Sequence, residues 1–351
     1  MCLFNLRAQA ICLGGLMVAL CLSLWAASAW SATLVVEDAQ GKKVPITLPL
    51  QKIVALNSDI LEVLRILKAG NLVVGVYSEI VRDQHFWGAL VDKPKVGGWQ
   101  NPNIEAIVKL QPSIVIAYGK NPGPFLEQKL AGFGIQVLRL DLYKTDTLER
   151  EVQVLGSLLD RTNEAACYCA WHRRYLDLIR GKIAQTQKRL SVYLESYSDY
   201  HAVGPGSGGE LMCDLSGGRN LASKLAVPYP QVTPEWVVAQ NPEVIVKAAA
   251  YGNGYATADP RPFNQRRDAI MGRPCWHHIA AVGSRRVHVM DSSIWTGPRD
   301  IIGIAYMARW FHPDLFADLN PEALHKEYLE TFQGLPYRGV FVSDDSREAG
   351  K

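Results

Sequence analysis

The stretch KVGGWQNPNIEAIVKLQPSIVIAYG, residues 95–119, decides how the chain is read. An extended piece and a turn lead into a short helix with apolar residues at helical spacing. Gln111-Pro112 then breaks the chain before a buried strand that ends in Tyr118-Gly119. Residues 232–252, VTPEWVVAQNPEVIVKAAAYG, repeat the scheme: a Glu at the helix start, apolar positions at helical spacing, Asn-Pro, and an apolar run ending in Tyr-Gly. Two copies of one supersecondary unit are too few for a solenoid and suit two α/β lobes that face each other.

Working outward, residues 33–50 hold two short strand-like runs around a turn at Gly41, and residues 52–56, KIVAL, read as a buried parallel strand. Asn57-Ser58-Asp59 caps a helix carrying Ile60, Leu61, Val63, Leu64 and Leu67; Gly70 ends it, and Asn71–Val76 is the next strand. This βαβ unit implies a right-handed crossover and a parallel sheet. A helix over 123–133 and a strand over 135–140 close an N-terminal lobe spanning residues 32–143. Residues 144–190 show few strand signals. Thr145 or Asp146 caps one helix through Leu159, and Asn163 caps a second to about Arg189, forming a rigid helical linker. The C-terminal lobe, 191–335, opens with a strand at 191–196. A Gly-rich loop at 203–209 and a helix to Leu215 follow, and the lobe ends with a strand at 287–290 and helices from Pro298 and over 321–332. Residues 336–351 are expected to form a flexible tail.

The length of 351 residues allows two domains, and 48% hydrophobic with 20% charged residues describes a globular protein. A net charge of +3 with no basic run gives no footprint for nucleic acid. Residues 1–31 read as a signal peptide: Arg7, an apolar run over 10–27, and the small-x-small site Ala27-Ser28-Ala29. An uncleaved anchor is the competing reading, and a lipid on Cys21 is disfavoured by the bulky Leu20 before it. The mature chain is therefore expected to be exported and soluble. Cys167 and Cys169 stand two apart on one helix and point away from each other, whereas Cys213 and Cys275 form either one disulfide or two free thiols.

Gly204, Gly206 and Gly209 match G-x-G-x-x-G. Pro205 interrupts the motif and no strand runs into it, so it reads as a loop lining a cleft, with Ser207 on it, rather than a dinucleotide site. Ser207 lacks the G-x-S-x-G context of a hydrolase nucleophile. His277-His278 are adjacent and the other histidines scattered, so no zinc spacing exists, although one His or Tyr as an axial haem ligand stays open. Trp99, Tyr118, Tyr251 and Trp295 all fall at strand ends or in the loops after them, where open α/β sheets bind ligands. Aromatics there suit a large, flat or apolar ligand, and Arg299 would complement an anionic one. Glu105 and Glu235 take matching places in the first turns of the two repeat helices. They suit the helix dipole there, and equally an acid on each lobe meeting a basic partner.

The chain resembles the helical-backbone class of periplasmic substrate-binding proteins of ABC importers for ferric siderophores, haem and cobalamin. The resemblance covers about residues 50–335. It rests on KIVALNSDILEVLRIL, VGGWQNPNIEAIVKLQPSIVIAYG, VGPGSGGELMCDLSGGRNLA, VTPEWVVAQNPEVIVK and VHVMDSSIWTGPRDIIGIAYMARW, in that order. It implies two Rossmann-like lobes joined by a long rigid helix, with a shallow cleft between them and little closure. It implies a periplasmic location, no catalysis and no resident cofactor. A monomer is expected to dock on an ABC permease through Glu105 and Glu235, with Trp99, Tyr118, Tyr251, Trp295, Arg299 and Ser207 toward the ligand. The expected cargo is a metal chelate, a ferric siderophore ahead of cobalamin or haem. Trp99-Gln100 matches the cobalamin-binding members, and the Arg that several siderophore-binding members place there is missing. An exported hydrolase using Glu105 and Glu235 as paired carboxylates is the remote alternative.

Overall fold

A computed structural model describes residues 32–250 and 254–343. Residues 1–31, where a signal peptide is expected, and Tyr251 lie outside the described residues, as do residues 344–351.

Strands β1 (Ala32–Glu37) and β2 (Lys43–Leu48) form an antiparallel hairpin. The N-terminal lobe is a four-stranded sheet of β3 (Ile53–Ala55), β4 (Val73–Val76), β5 (Ile114–Ala117) and β6 (Gln136–Arg139) in the order β4-β3-β5-β6. The C-terminal lobe has β7 (Leu190–Glu195), β8 (Gly218–Asn220), β9 (Val244–Ala249) and β10 (Val287–Asp291) in the order β10-β9-β7-β8. Every pairing in both four-stranded sheets is parallel. Numbered within its own lobe, each sheet has the strand order 2-1-3-4. Each lobe therefore has one point, between its first and third strands, where the winding reverses and a crevice opens at the strand ends. Parallel strands are covered on both faces, and β3, β5, β7, β9 and β10 are buried along their whole length.

The α-helices longer than four residues are α1 (Ser58–Ile66), α2 (Ile104–Leu110), α3 (Phe125–Leu130), α4 (Thr145–Leu158), α5 (Thr162–Ile183), α6 (Gly208–Leu215), α7 (Pro234–Gln240), α8 (Arg261–Met271), α9 (Asp300–Phe311) and α10 (Pro321–Tyr328). Asn57 caps α1 as read from sequence, its side chain accepting from Ile60 N at 3.0 Å. The repeat is structural as well. Asn103 caps α2 and Thr233 caps α7, each accepting a backbone N–H three residues on. Both helices run seven residues and end in a left-handed residue, Gln111 at φ 49 and Asn241 at φ 44. A proline follows each, and it disfavours the helical region for the residue before it. Each repeat delivers the third strand of its sheet.

The linker differs in its ends. Helix α5 starts after Arg161 and α4 after Lys144, and neither flanking residue makes a side-chain cap. Thr145, Asp146 and Asn163, expected as caps, sit inside the helices, with Asp146 and Glu164 supplying first-turn charge instead. Helix α5 stops at Ile183 rather than near Arg189, where Gln185 N and Thr186 N turn back to Lys182 O and Ile183 O. Its 22 residues still span about 33 Å. Tyr168, on its buried face, donates to Pro298 O at 2.6 Å and so ties the linker to the C-terminal lobe.

The segment expected to begin a loose tail at 336 is held through 343. Tyr255 donates to Pro336 O at 3.1 Å, Asp291 N donates to Phe341 O at 2.7 Å, and Ser343 N donates to Val289 O at 2.9 Å.

The linker also carries a titratable tie. His172 on α5 is fully buried between Asp300 at 3.1 Å and Glu149 at 3.2 Å. Burial alone would lower its pKa, but the two carboxylates win and raise it to about 9. A raised histidine contributes stability that is fully present below about pH 6.5 and lost as pH rises through about 9. The melting temperature is therefore expected to fall across that window. His172→Gln, which keeps hydrogen bonding without the charge, is expected to flatten the decline; an unchanged profile would contradict the tie.

Candidate functional site

The carboxyl ends of the strands of both lobes converge on a cleft of about 430 Å³. The loop after β5 brings Tyr118 and the start of α1 brings Asp59. The loop after β7 brings Tyr197, and Asp291 closes β10. Larger grooves exist elsewhere: about 680 Å³ beside α6 and β8, and about 800 Å³ behind β10. Neither joins strand ends from the two lobes, so the smaller interlobe cleft is the candidate site.

One wall is aromatic. Trp99 and Tyr118 meet edge to face with ring centres 5.7 Å apart, and Tyr118 meets Tyr143 the same way at 5.5 Å. Such contacts hold the rings in place without covering their outer faces. Across the cleft, Tyr197 is 48% exposed, too open for a core residue. Its loop is anchored at the base by a buried ion cluster: Glu195 lies 3.0 Å from Lys247 and 2.7 Å from Arg273, and also accepts from Tyr200 N at 3.1 Å.

The floor is acidic. Five carboxyl groups line the cleft (Asp59, Glu62, Glu79, Asp83 and Asp291) against two guanidinium groups, Arg82 and Arg299. Arg299 is 4% exposed and already engaged. Its Nε lies 2.7 Å from Glu62 Oε1, its Nη2 donates to Glu62 Oε2 at 3.1 Å, and its guanidinium lies 4.3 Å over the Phe86 ring. Burial pushes the Asp59 carboxyl up to about 7, although the Tyr118 hydroxyl donates to it at 2.6 Å. Burial raises Asp83 and Asp291 as well.

The residues expected at the ligand divide. Trp99, Tyr118 and Arg299 line the cleft, Arg299 through its pair with Glu62 and not as a spare cation. Trp295 does not: the turn Ser292–Ile294 carries it inward, where it is 1% exposed. Its indole fills the space a side chain at Gly209 would need, since a Cβ there would sit 2.8 Å from the ring. Ser207 is also elsewhere. It caps α6, donates to Gly204 O at 2.7 Å, accepts from Glu210 N at 3.3 Å, and borders the groove beside β8. Tyr251 lies outside the described residues.

Glu105 and Glu235 are exposed in the first turns of α2 and α7 and do not line the cleft. The paired carboxylates that a glycosidase needs are therefore not brought together there. Cys213 is buried and Cys275 exposed, both as free thiols, so the disulfide alternative is not formed. Among the described residues no cluster of three or more His, Cys, Asp or Glu is arranged to hold a bare metal ion.

Sequence reasoning missed Asp59, Glu79, Asp83, Tyr197 and Asp291. The strand-end rule that found Tyr118 also covers the loops after β3, β7 and β10, but Asp59 read as part of a helix cap. The two halves of the acidic floor lie roughly 200 residues apart in sequence.

Residues 53–294 match the family described as periplasmic binding protein. The vitamin B12-binding protein of Photorhabdus laumondii is 30% identical over 154 residues, 43% of this chain and 55% of that protein. That of Yersinia pestis is 29% identical over 153 residues, 43% and 54% of the two chains. The chain thus spans about half the length of the curated relatives it matches. Among solved structures, the molybdate periplasmic binding protein MolA of Haemophilus influenzae superposes with a TM-score of 0.74 at 18% identity, covering 87% of this chain and 99% of that one. A periplasmic heme-binding protein from Pseudomonas aeruginosa gives 0.62 at 24% identity, covering 76% and 94%. These two likenesses show the shared fold.

Proposed function

The chain belongs to the periplasmic binding protein family, and from that premise we propose that it captures a corrinoid, cobalamin or a close relative, in the interlobe cleft and delivers it to an ABC permease. The observation that carries this reading is the pairing of an aromatic wall with an acidic floor. A corrinoid offers a broad ring face to Trp99, Tyr118 and Tyr197, and a rim of primary carboxamides whose N–H groups donate to carboxylates. A polyanionic ferric catecholate would meet five carboxyl groups and one unengaged guanidinium, that of Arg82 at the rim. Haem, with two propionates, meets the same mismatch. The cleft thus favours cobalamin over the ferric siderophore expected from sequence. Similarity to vitamin B12-binding proteins points the same way.

Glu105 and Glu235 support docking of the two lobes on cationic permease loops. Both are exposed, and they stand at equivalent points of two sheets with the same strand order.

Isothermal titration calorimetry with cyanocobalamin tests the ligand. Saturable binding to wild-type protein is expected, weakened about tenfold in Trp99→Ala, the scale of about 1.4 kcal/mol for a lost aromatic wall. A second reading, a cationic hydroxamate siderophore, shares the acidic floor. Binding of ferrioxamine B with a flat cyanocobalamin titration would replace the corrinoid reading with that one.

A further inference from the structure

We propose that Asp83, Asp291 and Ser293 form a recognition subsite spanning the two lobes, which takes a hydrogen-bond-donating, neutral or cationic group of the ligand and rejects carboxylate and catecholate groups. This rests on the interlobe cleft being the ligand site and deepens that reading by assigning what its floor selects.

The geometry is that of a built acceptor site left open. Asp291 ends β10 and is 2% exposed. Its Oδ1 accepts from Ser293 N at 2.9 Å, while Oδ2 is buried with no partner among the described residues, and the residue lines the cleft. Ser293 Oγ, Asp83 Oδ1 and Glu79 Oε2 are likewise buried and unpartnered. Buried polar atoms are normally satisfied, and leaving a charged one unmade is costly, so several together in one cleft await donors. Donors from the protein are few. Arg299 faces both aspartates but is committed to Glu62: its Nη2 donates to that carboxylate and its Nε lies 2.7 Å from it, while Nε and Nη1, on a guanidinium stacked over Phe86, make no hydrogen bond of their own. Of the other cations, Arg65 lies within electrostatic reach of Asp83, and Arg82 lines the cleft beside Asp83 with its side chain exposed; neither makes a hydrogen bond to Asp83 or Asp291 among the described residues. Glu62 and Tyr77 face Asp83, Tyr197 faces Asp291, and Arg65 is tied to Gln333 and Phe86 O. The aspartates also raise each other's energy when both are ionised, which strengthens their pull on a ligand N–H.

The test is calorimetry on the full chain with three probes: cyanocobalamin, rimmed by carboxamides; ferrioxamine B, with a pendant ammonium; and ferric enterobactin, an anionic catecholate. Wild type is expected to bind at least one of the first two and not the third. Asp291→Asn is expected to lower that affinity about tenfold or more, the scale of one charge-assisted hydrogen bond. Affinity should also fall as the pH is lowered and the acceptors, whose carboxyls burial raises, take up protons, with a smaller slope in the variant, a readout that a purely structural residue would not move. Asp83→Asn, at a half-buried position, gives the same test should Asp291→Asn fold poorly. Ferrioxamine B binding without cyanocobalamin binding overturns the corrinoid reading and upholds the subsite. Tight binding of ferric enterobactin, or variants with unaltered affinity and slope, overturns the subsite. Silence of all three probes overturns both.

Discussion

Arg299→Ala is expected to destabilise the protein by about 3–5 kcal/mol, the usual result of stranding one member of a buried ion pair. Glu62 on α1 and Arg299 at the start of α9 come from different lobes, and their side chains are 4% and 5% exposed. Glu62 also accepts from the Tyr328 hydroxyl, and Gln333 Nε2 donates to that hydroxyl at 2.8 Å. Arg65 Nε reaches Gln333 at 2.5 Å, and the Arg65 and Arg299 guanidinium groups lie 4.2 and 4.3 Å from the Phe86 ring centre. Without Arg299 the Glu62 carboxylate keeps one hydroxyl donor and only the countercharge of Arg65, which makes no ion pair with it. It must then ionise at full desolvation cost or take a proton. The midpoint of urea unfolding measures the loss. Glu62→Gln, which leaves a neutral acceptor for Tyr328, is expected to cost less than Arg299→Ala. Combining Glu62→Gln with Arg299→Ala should recover part of the deficit, because the stranded charge is gone. An Arg299→Ala midpoint within error of wild type would mean that the pair does not pin the lobes. The pin joins the two walls of the cleft directly, through α1 of one lobe and the start of α9 of the other.

Much of the fold was legible because its signals are local. Asn57, the proline breaks after Gln111 and Asn241, and the apolar runs of β3, β5 and β9 act through neighbours in sequence, and the repeat could be read from one copy to the other. The linker ends were not legible. Lys144 and Arg161 precede their helices without capping them, so packing of α4 and α5 decides where the helices start, and the cap rule chose Thr145, Asp146 and Asn163. The site was half legible. Trp99 and Tyr118 follow from strand ends, but that rule misplaced Trp295, because a single turn of helix at Ser292–Ile294 faces its indole into the core. The acidic floor was the hardest to see. Asp59, Asp83 and Asp291 each have an ordinary local explanation, and only the convergence of α1, the turn at residues 78–83 and the end of β10 makes them one surface.

Reversing the charge at both lobe tips, Glu105→Arg with Glu235→Arg, is expected to abolish uptake through the permease while leaving the cleft's affinity for its ligand unchanged. The two carboxylates are exposed, make no ion pair with any described residue, and stand clear of the acidic floor. Substitution should therefore disturb no packing or ion pair of the fold. Each acid already gains from the helix dipole in its first turn, so an arginine there loses about 0.3–1 kcal/mol of local interaction. That is too little to unfold either lobe. At an interface the same reversal puts like charges together, and such juxtaposition costs several kcal/mol. The effect on docking thus exceeds the effect on the fold by a wide margin. The near two-fold placement sharpens the test: if both lobes dock, each single reversal alone should weaken uptake, and the two losses should add because the sites are far apart. Calorimetry of the purified variant and transport into vesicles bearing the permease separate the two activities. Loss of ligand affinity in the double variant, or full transport with both charges reversed, would remove Glu105 and Glu235 from the docking face.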